Sequence, residues 1–347
     1  MRCLTLAKAL TDNGADCSFI CRDHIGNLID TIQKLGFLVY KLGHNKDEKA
    51  SLAEIKNQLY HANWLGVTQK QDATDCLSIF KEIQPEWVVV DHYALDKEWQ
   101  CILEPYYKKL MVIDDLGDRE HIADLLLDQN YGSTVSKYQS LVSEKCSVLT
   151  GTQYTLLRPE FAECREYSLK RRSNKFVINS ILVTLGGTDP DNYTSRVLQQ
   201  LINTEFNPEA EVIVVMGAKA PNFEAVNCLA SEMSVKTTVM RNVDNMAELM
   251  SNADLAIGAA GATTWERCCL GLPTIQIVIA ENQRKVAMEL ASINVVKLIS
   301  EFNCIPQLLE NSGSWMKEAS KKSATLVDGY GTDRVFNELN NHLINFY

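Results

Sequence analysis

The chain lacks several features that would narrow its chemistry at once. It carries 11 cysteines, yet no Cys-x-x-Cys pair and no cysteine–histidine spacing of a zinc site. Cys268 and Cys269 are adjacent, which suits neither a disulfide framework nor a metal cluster. The cysteines therefore read as buried thiols of a reducing, cytoplasmic compartment. No basic stretch followed by a long apolar run opens the chain, and no window nears the about 18 uninterrupted apolar residues of a membrane span. Neither a signal peptide nor a membrane partner is expected. No Gly-x-Gly-x-x-Gly follows a strand, which disfavours a dinucleotide-dependent dehydrogenase. Positive charge is in deficit, with 34 Lys and Arg against 44 Asp and Glu and a formal net charge of −10. Such a chain repels phosphate backbones, so no nucleic-acid partner is expected. A single phosphate ligand stays open, because backbone amides hold phosphate without a basic patch. Low-complexity tracts and short repeats are absent too.

What is present is an ordinary globular balance, 46% hydrophobic and 22% charged over 347 residues, enough for about two domains. Leu4, Leu6, Ala7 and Leu10 recur at helical spacing from the first residues, and Asn13-Gly14 stops that helix. Strands are expected at 15–21, 37–42, 87–90, 109–113 and 125–127, with helices around Leu28 to Leu35 and over 72–83. The segment from Cys164 to Lys175 is charged and reads as the linker region, with the domain change near 155–178. The pattern then restarts, with strands at 180–185, 211–216, 236–240, 255–258 and 274–279 and helices at 192–201, 246–252 and 263–270. Short apolar runs alternating with helices predict parallel sheets with helical crossovers. The expected fold is α/β, with two Rossmann-like doubly wound domains facing a cleft, the GT-B architecture. An N-terminal domain over 1–165 and a C-terminal domain over 176–347 follow from the linker position.

Chemistry in such sheets collects at the carboxyl ends of strands. In the second half, Gly186-Gly187-Thr188-Asp189-Pro190 sits between a strand and a helix. It reads either as a ligand contact or as a tight turn. Gly258-Ala-Ala-Gly261-Ala-Thr-Thr264-Trp-Glu266 ends a strand in small residues and opens a helix with hydroxyls. Its amides suit a diphosphate, and Glu266 suits a ribose diol. The same residues also satisfy a capping box, Thr263 as N-cap with Glu266 three positions on. In the first half, Asp91-His92-Tyr93 and Asp114-Asp115 end two strands. A histidine beside a carboxylate suits a general base, although a strand-end histidine is as readily structural. Adjacent strand-end carboxylates point apart, so Asp114 and Asp115 are not expected to share a metal. His24, His44, His61, His121 and His342 carry no local signature, and Gln71-Asp72 reads as a helix N-terminus.

The ordered series Met1-Arg-Cys-Leu-Thr-Leu-Ala7, Phe19-Ile-Cys-Arg-Asp23, Trp64-Leu-Gly-Val67 with Gln71-Asp72-Ala73, Val90-Asp-His-Tyr93, Val112-Ile-Asp-Asp-Leu116, Leu125-Leu-Leu-Asp-Gln-Asn130, Leu157-Arg-Pro-Glu-Phe161, Leu185-Gly-Gly-Thr-Asp-Pro190, Met246-Ala-Glu-Leu-Met250 and the stretch from Ala253 to Pro273 spans nearly the whole chain. It resembles the PseG family, the UDP-2,4-diacetamido-2,4,6-trideoxy-β-L-altropyranose hydrolases of pseudaminic acid biosynthesis. The resemblance implies a GT-B fold, a UDP-sugar substrate, no cofactor, and a metal-independent hydrolysis. Water attacks the anomeric carbon with inversion, UDP leaves, and the free sugar goes toward surface glycans such as flagellin's. It also implies that Glu266 holds the uridine ribose, that Gly186, Gly187, Gly261, Ala262 and Thr263 lie along the nucleotide, and that Asn282 sits near the diphosphate or sugar. Tyr93 would lie beside the sugar, and Arg2 would close the family's N-terminal motif. That motif is a strand followed by a Gly-x-Gly-His-x-x-Arg loop. Met1 falls one residue before its arginine, so the family's catalytic histidine would lie upstream of Met1 and the first strand of the N-terminal domain would be absent. The catalytic residue is left unassigned, with His92 as a substitute base. The chain as written is expected to bind UDP and to hydrolyse the sugar slowly. A UDP-sugar glycosyltransferase of GT-B fold and a catalytically impaired UDP-sugar binding protein are the alternatives.

Overall fold

The computed structural model describes residues 1–24, 26–43, 59–173 and 177–344. It divides into two units, Met1–Leu156 with Thr332–Tyr347, and Leu157–Gly331. His44 lies outside the described residues. Among the described residues, no helix is long and apolar enough to cross a membrane.

The first unit contains α1 (Arg2–Asp12), β1 (Ser18–Arg22), α2 (Ile29–Lys34), β2 (Leu38–Leu42), α3 (Gln69–Ile83), β3 (Trp87–Val90), α4 (Lys97–Leu103), β4 (Lys109–Ile113), β5 (Leu125–Asp128) and β6 (Ser147–Thr150). All pairings are parallel, in a four-stranded sheet β3-β4-β5-β6 and a separate two-stranded sheet β1-β2. Strand alternation shows how the two sheets are related. Val88 and Val90 of β3 and Ile20 and Leu42 of the small sheet pack with Ala73, Cys76 and Phe80 of α3. On the opposite face, α1 sends Leu4 to Phe19, Cys21 and Val39 of the small sheet, and Leu6 to Val89, Met111 and Ile113 of the larger one. One helix on each face thus covers both sheets. The facing edges of β1 and β3 pair with no strand among the described residues.

The second unit holds α5 (Pro159–Arg172), β7 (Ser180–Thr184), α6 (Tyr193–Ile202), β8 (Glu211–Met216), α7 (Phe223–Ser231), β9 (Lys236–Arg241), α8 (Met246–Asn252), β10 (Leu255–Ala259), α9 (Thr263–Cys269), β11 (Thr274–Ile277), α10 (Arg284–Ser292), β12 (Lys297–Ile299), α11 (Ile305–Glu310) and α12 (Ser312–Leu326). Its six parallel strands run β12-β11-β10-β7-β8-β9. β7 and β10 are buried at every position, the signature of strands covered on both faces. The order reverses between β7 and β10: β8 and β9 extend to one side of β7, then β10 returns on the other. That is a topological switch point, where doubly wound sheets open a crevice at the carboxyl ends.

The expected linker is a correction. Residues 164–172 belong to α5, which packs wholly in the second unit. Its charged residues are spent on carbonyls that helices leave unpaired at their C-termini. Arg165 donates to the carbonyls of Cys269 and Ala324, and Ser168 to that of Leu270. Arg172, buried, reaches Met250 O at 2.7 Å, Leu270 O at 3.3 Å and Ala253 O. The boundary falls at Leu156–Leu157, at the start of the expected 155–178 range but ahead of the 165 and 176 set as domain limits. The chain also returns: Val335 and Leu339 of α13 (Gly331–Ile344) pack on Met111 and Ile113 in the first unit, so 176–347 is not one domain.

Arg172→Met takes the donor from the Met250 carbonyl and one of two donors from each of the Leu270 and Ala253 carbonyls. Urea unfolding is expected to show a loss of about 3 kcal/mol, while exposed Lys170→Met stays within about 0.5 kcal/mol.

Candidate functional site

Three neighbouring strands, β11, β10 and β7, carry the sequence-predicted ligand residues at their carboxyl ends. Gly186 and Gly187 follow β7 and are exposed, Gly186 at φ +95°. The backbone there packs against Gly217 after β8: a Cβ at Gly217 would stand 1.8 Å from the Gly187 carbonyl oxygen. Asp189 of the same loop is consumed locally. Its carboxylate accepts from the Tyr193 and Thr194 amides at 2.8 Å and from the Thr194 hydroxyl at 2.6 Å, fastening the start of α6.

After β10 come Gly261, Ala262, Thr263 and Glu266. The capping alternative is not formed. Ala262 is the residue before α9, in a helical conformation, and no side chain caps the helix. Thr263 Oγ1 instead accepts from Arg267 Nη1 at 3.1 Å. Glu266 is half-buried, and its carboxylate is hydrogen-bonded to none of the described residues. Burial raises its pKa, against the opposing pull of Arg158 and Arg267. α9 is seven residues long, so its dipole is small and the fixed charge at this strand end is the Arg267 guanidinium. After β11, Gln283 accepts from the Ile279 amide at 3.2 Å and brings its Nε2 within 3.6 Å of where a Gly261 Cβ would stand. Asn282 lies beside it, exposed, in the single turn Glu281–Gln283. Arg158, Arg267 and Gln283 escaped the sequence reading. Only the i, i+4 spacing of Thr263 and Arg267 hinted at one of them.

The first unit gathers a different set at the ends of β3 and β4. Arg2 grips Asp91 with two bonds of 3.0 and 2.7 Å and reaches Asp115 at 3.3 Å. Burial pushes Asp91 up, and the guanidinium more than reverses this, holding the carboxyl below its ordinary range. Tyr93 shares Asp115, and burial raises its phenol. The rings of His61 and Trp64 stand 5.2 and 5.8 Å from that of Tyr93. Asp114 turns the other way, accepting from the Leu116 and Gly117 amides at 3.1 and 3.0 Å and pairing with Arg119 at 3.0 Å. The two adjacent carboxylates point apart as their strand positions require. His92 Nδ1 accepts from the Ala94 amide at 3.1 Å, and burial lowers its pKa. A neutral imidazole so bonded carries its proton on Nε2 and has no free lone pair. His92 is thus a donor in this geometry, not a base. His24 bonds the Leu65 carbonyl at 3.0 Å, and His342 meets Ser147 at 3.0 Å. Asp72 is structural, a buried partner of Arg22 at 2.7 Å that also accepts from the Trp99 indole. The helix start expected at Gln71-Asp72 is there, with Thr68 Oγ1 accepting from the Gln71 amide at 3.2 Å.

Residues 180–328 match the glycosyltransferase family 28 C-terminal domain. An uncharacterized protein of Methanocaldococcus jannaschii, MJ1062, is 31% identical over 227 residues, 64% of this chain and 46% of that protein. The spore coat polysaccharide biosynthesis protein SpsG of Bacillus subtilis is 29% identical over 228 residues, 63% of this chain and 65% of that protein. The match therefore spans about half to two thirds of these relatives' lengths. The crystal structure of MurG from Acinetobacter baumannii aligns with a TM-score of 0.69 at 15% identity, covering 98% of this chain and 95% of that one. The chain has the two-domain α/β GT-B-like fold with parallel sheets.

Gly217→Ala drives a Cβ into the Gly187 carbonyl, so the two loops must move apart, and urea unfolding is expected to show a loss of about 1–3 kcal/mol. His121 supplies a pH test. It is buried, accepts at Nδ1 from Gln100 at 2.8 Å, and is pulled down to about 3 by burial and by Arg119. Below about pH 6.5 the unfolded chain takes a proton that the folded chain refuses, so stability falls with pH. Between pH 7 and pH 5 the expected loss is about 2 kcal/mol. His121→Gln should flatten that slope in denaturation series.

Proposed function

We propose that the chain is a UDP-sugar hydrolase, a member of the PseG family that releases 2,4-diacetamido-2,4,6-trideoxy-β-L-altropyranose from its UDP conjugate. The observation that carries this is the convergence of Gly186, Gly187, Gly261, Ala262, Thr263 and Glu266 on adjacent strand ends at the switch point of one sheet. Exposed glycines allow close approach of a diphosphate backbone. Glu266, free of a capping bond, is available to the two hydroxyls of a ribose. The family 28 match over the same unit, and the name of SpsG as a polysaccharide biosynthesis protein, support a sugar-nucleotide substrate.

Cleavage with inversion needs a base for water on the face opposite the leaving group. UDP is a good leaving group, and fixed positive charge at the β10 loop would stabilise the charge it gains. Arg2 engages Asp91 and Asp115, and the Ala94 amide occupies His92 Nδ1; the base is left unassigned. Tyr93 and Arg2 are assigned to positioning the sugar. No cofactor and no metal is assigned to the reaction. A second reading, a UDP-sugar glycosyltransferase, is favoured by the family 28 match; there a sugar acceptor replaces water.

Incubation with the UDP-sugar and no acceptor distinguishes the two. Free UDP and free sugar in equal amounts are expected, and UDP release that depends on an added acceptor would sink the hydrolase assignment. UDP binding without turnover would leave a sugar-nucleotide binding protein. Glu266→Ala is expected to weaken UDP binding about tenfold to a hundredfold. Because the Glu266 pKa is raised, uridine affinity should decline, as pH falls, at a higher pH than an ordinary glutamate would dictate.

A further inference from the structure

Arg267 is 1% exposed and forms no ion pair with a carboxylate among the described residues. Arg172, the other deeply buried arginine of this unit, is neutralised by a ring of helix-end carbonyls. Arg267 has one carbonyl, Ala259 O at 2.8 Å, and two hydroxyls: Thr263 Oγ1 and Thr264 Oγ1, both at 3.1 Å. Its Nε has no partner. The backbone is built around it, since a Cβ at Gly258 would stand 2.6 Å from Nη1. A buried, unpaired cation costs several kcal/mol unless an anion answers it.

The two hydroxyls show where that anion belongs. A hydroxyl whose oxygen accepts from a guanidinium keeps one lone pair and its own proton to offer. Thr264 accepts a second bond, from Gln276 Nε2 at 2.7 Å, and lies buried. Thr263 is half-buried, and its hydroxyl donates to no described residue. It therefore keeps a proton to offer, polarised by the cation beside it.

We propose that Arg267 is a positioning residue that makes this loop selective for the diphosphate of a nucleotide: it fixes the Thr263 hydroxyl, whose proton is claimed by no described residue, and supplies the fixed positive charge behind it. The proposal rests on the nucleotide site assigned above, and it names which residue discriminates the diphosphate from the nucleoside.

The test uses the full chain and calorimetry at one ionic strength, with UDP measured directly and uridine by displacement of UDP. Thr263→Val and Arg267→Met are each expected to weaken UDP about tenfold or more, while uridine moves by less than about threefold. Thr263→Ser, which keeps the hydroxyl, should hold UDP within about threefold of the parent. Because Arg267 acts through Thr263, the double variant should fall well short of the product of the two single losses. Equal losses of UDP and uridine, or losses that multiply, would overturn the proposal while leaving the nucleotide site standing. A parent chain that binds neither ligand overturns both. Should Arg267→Met fail to fold, the valine and serine variants at Thr263 decide alone: equal UDP affinity in the two refutes the donor role.

Discussion

Everything in the second unit depends on the parallel ladder. Parallel strands all end at the same edge, and both faces of the sheet are shut by helices, so polar groups with work to do are forced to the carboxyl rim. β11, β10 and β7 run side by side, and that adjacency alone brings together residues as distant in sequence as Gly186 and Gln283. The ladder also accounts for the small residues there. Gly258 yields to a guanidinium and Gly217 to a carbonyl, so the loops lie close to the rim instead of standing away from it.

Most strands were legible because a strand buried on both faces is a short apolar run with little ambiguity, as in 109–113 and 180–184. The glycine loops were legible for the complementary reason: small residues at a strand end leave space that a packed core would fill. Failures came where charge met burial. Arginines in α5 resembled a solvated linker, yet they occupy helix-end carbonyls, and nothing local distinguishes the two fates. α13 is amphipathic, but an apolar stripe does not say which core it joins. Thr263 and Glu266 fitted a capping box by spacing, and only the position of Arg267, set by tertiary packing, shows that the hydroxyl is engaged elsewhere. Gln283 was not singled out in the sequence, and the turn brings its side chain toward Gly261.

Two arginines in the second unit show how one side chain serves opposite ends of helices. Arg172 meets the negative carbonyl ends of α8 and α9 and fastens α5 to them. Arg267 sits beneath the other end of α9, where no such carbonyls exist, and its charge is left for a ligand. In the first unit the ion pairs are closed: Arg2 with Asp91 and Asp115, Arg22 with Asp72, Arg119 with Asp114. They hold strand ends in place and keep their carboxylates from other duties.

The route of the chain has a consequence for its synthesis. The second unit is one continuous stretch, Leu157–Gly331, whereas the first needs both Met1–Leu156 and the last residues from Thr332 onward. A ribosome delivers the second unit whole before the first is complete, and domains fold as units as they emerge. The unit begun first is therefore finished after the second, and Val335 and Leu339 reach the apolar surface of Met111 and Ile113 only once the whole of Leu157–Gly331 has been made.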